Sequence, residues 1–337
     1  MEWKGPDRAS SPTFAQQQYG LKGAAGLEQV REILGRFAEA AFRRPVRATE
    51  VDYYTKLVER EMQTGEKRES ALKTGMLAIL CAKDFLYLVE GSPEKTLSHL
   101  TDWEMASRLS YFLWSTMPDG PLRAAAARGT LRQPKVLRAE IARMLNDSKI
   151  ARFTHAFSRQ WLQLRQVGMF PPDRKRYPTY DDYLQKSMIG ETTAYFHEVL
   201  EKNLTLREFL DSDWTMLNAR LAAHYEIPHI TKDRFQRVAL RPEDRRGGLL
   251  TQAAILSQTS DGARHRPVHR GKWILESIIG KPPPPPPANV KPIEPTPVSE
   301  PKATLRMKLA AHQSDPQCAS CHRKIDPLGL AFDHYDA

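Results

Sequence analysis

In MIGETTAYFHEVL, residues 188–200, the side chains Met188, Ile189, Thr192, Tyr195, Phe196, Val199 and Leu200 recur every three or four positions. That period lines them along one face of an α-helix and leaves the charged and small residues on the other. The same spacing returns upstream in Ile150, Phe153, Phe157, Trp161 and Leu164, and before that in Val136, Leu137, Ile141, Met144 and Leu145. Near the start, Leu27, Val30, Ile33, Leu34, Phe37, Ala41 and Phe42 repeat it again. Alternation of period two is weak, with residues 235–240 the best short strand candidate. The chain is predicted to be mainly α, with a multi-helix, bundle-like body.

Breaks between these runs divide the chain. Residues 1–24 read as a linker. Helices follow over 25–92, with RRPVRATE as an interruption and Thr49 and Glu50 as a new helix start. A second helical region spans 100–228, its first helix at 101–114 closed by the breaker segment at 115–121. The third region, 243–337, opens with two helices in RGGLLTQAAILSQ and PVHRGKWILESIIG. Next come six consecutive prolines, Pro282–Pro287, and four more by Pro301. Proline lacks an amide hydrogen and fixes φ, so this stretch is excluded from helix and sheet interiors. As polyproline II the run of six spans about 19 Å, and 282–301 is expected to act as a stiff spacer.

Across 337 residues, 41% are hydrophobic and 27% charged, which fits a globular chain rather than a disordered one. Basic residues exceed acidic ones by ten. The excess is read as a solvated cationic surface that would also suit an acidic redox partner. No stretch is long and apolar enough to span a bilayer. The first residues carry no apolar core of a secretory signal.

Cys81, Cys318 and Cys321 are the only cysteines, too few for a disulfide framework. Cys81 lies in the apolar run MLAILCAKDFLYLV and is expected to be a buried, inert thiol. Cys318-Ala-Ser-Cys321-His322 is a different pattern. Residues three and four apart share a helix face, so Cys318 and Cys321 can reach the two vinyl groups on one porphyrin edge while His322 faces the iron. The expected cofactor is haem c, in a small C-terminal helical segment. A structural zinc site would need four donors. His312 and His334 could complete such a set, so zinc stays open. A thioredoxin-like dithiol would want a strand before the motif, and the preceding sequence is proline-rich, then helical.

No methionine follows His322. The sixth iron position could then be filled by His334, His312, Met307 or a residue beyond Ala337, or be left vacant for ligand or peroxide chemistry. Asp326-Pro327 is expected to end the helix; a backbone carbonyl in that turn could accept the His322 Nδ1 hydrogen, and a plain helix stop is the equal alternative.

The chain resembles the planctomycete-type multidomain cytochrome c proteins built from domain-of-unknown-function families 1595, 1592 and 1588. In the first region the resemblance rests on FAEAAFRRPVRATEVDYY and AILCAKDFLYLVE. The middle one carries LSYFLWSTMPDGPL, ARMLNDSKIARF, FSRQWLQL and SDWTMLNARLAAHYEI. The last carries RRGGLLTQAAILSQTS, RPVHRGKWILESIIGKPPPPPP and DPQCASCHRKIDPLGLAFDHYDA. It implies an exported protein with Cys318 and Cys321 as haem attachment sites and His322 as axial ligand. An export signal and a further C-terminal domain are then expected outside this sequence, along with haem maturation machinery. The histidine-rich Arg264–Arg270 departs from the usual Ser/Thr-rich version.

Other patterns carry less. His265 and His269 are four apart, but Pro267 lies between them and no metalloprotease glutamate follows; a basic loop or first helical turn is expected. Arg245-Arg246-Gly247-Gly248 has glycines without a phosphate-loop lysine. Phe153, Phe157 and Trp161, interleaved with Arg152, Arg159 and Arg165, read as a core face with a basic outer face, so nucleic acid is not expected. No catalytic acid or base can be nominated. The function expected is a haem c redox or electron-transfer module, with a zinc-stabilised interaction protein or a peroxidase-like haem enzyme as alternatives.

Overall fold

The computed structural model describes residues 26–91, 99–285, 304–314 and 316–335. The linker expected at 1–24 and most of the proline spacer, 286–303, lie outside them. The fold is mainly α with one small sheet. It divides into two compact units, Met1–Asp147 and Ser148–Ala337.

In the first unit α1 (Leu27–Phe42) packs on α2 (Ala48–Gln63) and α3 (Arg68–Leu80). Val30, Ile33, Leu34, Val58, Leu72 and Ile79 form their shared core. A Cβ on Gly75 would stand 2.5 Å from Val58, so its glycine is what lets α3 approach α2. α2 starts at Ala48, one residue ahead of Thr49, and the Glu50 carboxylate reaches back to the Arg47 amide at 2.8 Å. That satisfies one of the amides left free at the helix start.

α3 closes at Leu80, and this corrects the expectation for Cys81, which is exposed. The buried face of α3 runs through Ala71, Leu72, Gly75 and Ile79. Cys81 sits four residues after Leu77, itself 60% exposed, and so continues the outer face. A short α4 (Lys83–Leu86) follows, then α5 (Asp102–Trp114), α6 (Gly120–Ala127) and α7 (Pro134–Leu145). Thr101 and Glu104 form a reciprocal capping box on α5, with bonds of 3.2 and 2.6 Å.

The second unit is built around α9 (Asp182–Glu201), which follows α8 (Ile150–Trp161). The predicted face is buried at Met188, Thr192, Tyr195, Phe196 and Val199, together with Glu191. Phe153, Phe157 and Trp161 pack against Phe196 with ring centroids 5.6–6.2 Å apart. Those aromatics form packing, with Arg152 and Arg165 exposed outside them. The predicted strand is β2 (Gln236–Ala239), antiparallel to β1 (Trp214–Leu217), with Trp214 opposite Ala239 and Leu217 opposite Gln236. β1 is nearly all buried, so it lacks the alternation that would have revealed it. α10 (Ala219–His224), α11 (Ala253–Gln258) and α12 (Pro267–Trp273) complete the body, and α12 runs into one π-helical turn, Ile274–Ile278. Then come α13 (Leu305–His312) and α14 (Pro316–Leu330). No described helix is long and apolar enough to cross a membrane.

Candidate functional site

Cys318, Cys321 and His322 all lie on α14, and what fixes that helix is its crossing with α12. A Cβ on Gly329 would fall 1.8 Å from the Pro267 carbonyl oxygen, and one on Gly271 would fall 2.0 Å from that of Ile325. The two helices therefore meet backbone against backbone, a distance only glycine permits. Beside the crossing, Arg270 is 1% exposed. Its guanidinium donates to the carbonyl of Phe332 at 2.9 Å, to that of Tyr335 at 3.3 Å and to Thr259 Oγ1 at 3.2 Å. His265, before α12, holds Asp333 at 2.7 Å. His269 lies in the first turn of α12, and burial, then Arg266 and Lys272, depress its imidazole below the usual range. So the histidine-rich segment anchors the end of α14.

This anchoring explains a second correction. α14 does not stop at Asp326-Pro327 but continues to Leu330 with Pro327 inside it. Proline there removes one backbone bond and normally kinks or ends a helix. Pro327 is on the exposed side, while Ile325, Asp326 and Gly329 are buried against the body. Tertiary packing outweighs the local rule.

The continued helix gives His322 a different partner from the one expected. Its Nδ1 lies 2.9 and 3.1 Å from the two Asp326 carboxylate oxygens, one helical turn away, and not on a backbone carbonyl. Asp326 is 1% exposed, and Gln313 Nε2, just past α13, donates to its Oδ2 at 2.8 Å. The imidazole is thus oriented from one side by Nδ1, which leaves Nε2 as the nitrogen that could meet a metal. Ala319 is buried between the half-buried Cys318 and Cys321, whose thiols are free. Two thiols and an oriented imidazole on one partly open helix face are the donor set a covalently attached haem uses.

The three sixth-ligand candidates are spread out. His312 packs edge-to-face on His322, with centroids 4.8 Å apart. The rings touch, so a metal between them requires His312 to swing aside. Met307 is 55% exposed on α13, and His334 is exposed in the turn after α14. Among the described residues no three His, Cys, Asp or Glu side chains converge on a common metal position, so the four donors of a closed zinc site are not gathered.

Comparison with known families matches three models. PSD5, a protein of unknown function (DUF1595), matches residues 29–90; PSD4, a protein of unknown function (DUF1592), matches 100–227; PSCyt3, a protein of unknown function (DUF1588), matches 246–337. In this order, the three models are those of the planctomycete cytochrome-c-type domain families. No curated protein and no solved structure matches it. The PSCyt3 region, whose name marks a cytochrome-like module, contains α12, α14 and the whole CxxCH segment. The PSD4 match runs across the boundary between the compact units at Asp147.

Sequence reasoning missed Asp326, Arg270 and the glycine pair. The signal for Asp326 was its position four residues after His322, the spacing of a same-face pair. Gly271 and Gly329 could have been found as glycines inside helical patterns, where a close approach of backbone is the usual reason.

Proposed function

We propose that this chain is a haem c redox module of a larger exported protein, with Cys318 and Cys321 as covalent anchors and His322 as axial iron ligand. What supports it is the arrangement on α14: both thiols and the imidazole share a face, and Asp326 fixes the ring by Nδ1. Each thiol adds across one porphyrin vinyl group, sulfur to one carbon and hydrogen to the other, so nothing leaves. Bound there, haem c supplies one-electron chemistry at iron. The residues of the chain hold it and set its surroundings. Asp326, within hydrogen-bond reach of Nδ1, would hold the ring so that Nε2 faces the iron. Ala319 and Ile325 seat the helix in the body.

The proposed domains are 25–92, 100–228 and 243–337, with 282–301 as spacer. Attachment by maturation machinery outside the cytoplasm, and a periplasmic or cell-surface location, go with this reading. The net charge of +10 suits an acidic redox partner. One observation favours a peroxidase-like haem enzyme as the second reading. A carboxylate behind the axial histidine strengthens it as a donor and favours oxidised iron.

The test is expression with an export signal and a competent maturation system, followed by denaturing electrophoresis and haem staining. The stain is expected to stay with the chain and to be lost in a Cys318→Ala, Cys321→Ala double variant. A colourless wild-type band overturns the proposal. Visible spectra of the oxidised and reduced protein then separate the two readings: six-coordinate iron inert to peroxide supports electron transfer, and five-coordinate iron that reacts supports the peroxidase-like one.

A further inference from the structure

Apart from the CxxCH face, the second unit has a cleft of about 240 Å³ lined by Tyr177, Tyr180, Leu184, Met188, His224 and Arg246, among others. Its floor is mostly apolar, and its one strong charge among the described residues is Arg246, from the Arg-Arg-Gly-Gly motif that the sequence left without a role. The motif is folded tightly. Gly248 has φ +64°, and a Cβ there would stand 2.6 Å from the Leu210 backbone, while one on Gly247 would meet the Ser212 carbonyl at 2.7 Å. Arg246 leaves this rigid loop with its guanidinium 3.5 Å over the Tyr225 ring and donates to the Thr251 carbonyl at 2.7 Å.

Two carboxylates that feel the Arg246 charge are committed elsewhere. Asp244 pairs with Arg241 at 2.9 Å. Glu191 lies beneath Tyr225 and accepts from the Tyr225 and Thr215 hydroxyls at 2.6 and 2.7 Å. Burial pushes Glu191 up to about 7, which weakens it as a counter-charge in neutral and acid solution. At the mouth, His224 is driven down to about 4, first by desolvation and then by the charges of Arg246 and Arg220.

We propose that this cleft binds a small carboxylate with an aromatic or branched apolar body, its carboxylate on the Arg246 guanidinium. A planar guanidinium held by stacking is preorganised for two-point pairing with a carboxylate. Leu184, Met188 and Leu256 supply an apolar seat, and Tyr177 and Tyr180 supply ring faces and hydroxyls. The volume is below the roughly 300–1,000 Å³ of sites for drug-sized ligands, so the body is of about one ring. A fully polar anion such as phosphate would leave that floor unused. The site stands independently of the haem reading, although Tyr335, in the turn after α14, forms part of its wall.

The probe is benzoate, titrated calorimetrically into the full chain, with benzamide and inorganic phosphate as controls. Benzoate is expected to bind at one site, at least about tenfold more tightly than either control. Arg246→Met should weaken benzoate by about tenfold or more and leave benzamide unchanged. Because that change also removes a stacking contact, Ser257→Leu serves as a second variant, narrowing the cleft while keeping the guanidinium. It should weaken benzoate and benzamide together. The proposal is overturned by benzoate failing to saturate, by phosphate binding as well as benzoate, or by full benzoate affinity in both variants.

Discussion

Asp326 in α14 and Glu191 in α9 are carboxyl groups of equal burial, each 1% exposed, yet their surroundings are opposite in kind. Asp326 takes a ring nitrogen of His322 and an amide of Gln313, groups that direct N–H bonds at a carboxylate. Glu191 has only the hydroxyls of Thr215 and Tyr225, and burial pushes it up to about 7. The first region spends its buried carboxyl on aiming another side chain. The second tolerates one within an aromatic core. Burial alone therefore does not say what a carboxyl is for; its partners do.

Removing the carboxyl should hurt the α14 region most. Asp326→Ala leaves a half-buried imidazole and a half-buried amide without their acceptor, at a cost of about 3 kcal/mol in denaturant unfolding. In haem-loaded protein, Asp326→Asn should keep the fold and raise the midpoint potential, since the axial ring loses its anionic partner. An unchanged potential would mean that Asp326 is scaffolding only.

At Glu191 the sign reverses. Its folded value of about 7 lies above the ordinary 4.5. Between those values the unfolded chain gives up its proton while the folded chain keeps it. Stability is therefore full in acid, falls as pH climbs from 4.5 to 7, and is level above. Glu191→Gln removes that loss, worth roughly 3 kcal/mol at pH 8 from the gap between 4.5 and about 7. Unfolding curves at pH 5 and pH 8 read it, and identical pH slopes in variant and parent would break the contrast.

Gly329→Ala tests whether the first region depends on its helix crossing. With the Cβ 1.8 Å from the Pro267 oxygen, backbone must move, costing about 2 kcal/mol and lowering Tm. An unchanged Tm would show the crossing to be loose. Cys81→Ser, outside both regions, sets the baseline: an exposed position should change stability by less than about 0.5 kcal/mol. A cost above about 1 kcal/mol would restore the buried reading of that thiol.

Helices were legible wherever one face is apolar and the other is not, as along α1 and α9. The CxxCH spacing was legible because it is local. Two errors share one cause. Cys81 and Pro327 were judged from their neighbours in sequence, and their environments are decided by where their helices end and what those helices pack on. β1 escaped because both its faces are covered, which erases its period. Asp326 and the Gly271–Gly329 contact escaped because their meaning lies in the partner, His322 in one case and another helix in the other. A motif shows which atoms are offered; only the fold shows how they are held.

At the Gly271–Gly329 seam there are no side chains to repack, so α14 behaves there as a beam on a fulcrum. Beyond this pivot the chain continues as a short arm. That arm carries Phe332 and Tyr335, gripped by Arg270 and reaching the tyrosine-lined cleft. One continuous segment thus joins the sulfur-bearing helix face to a wall of the cleft.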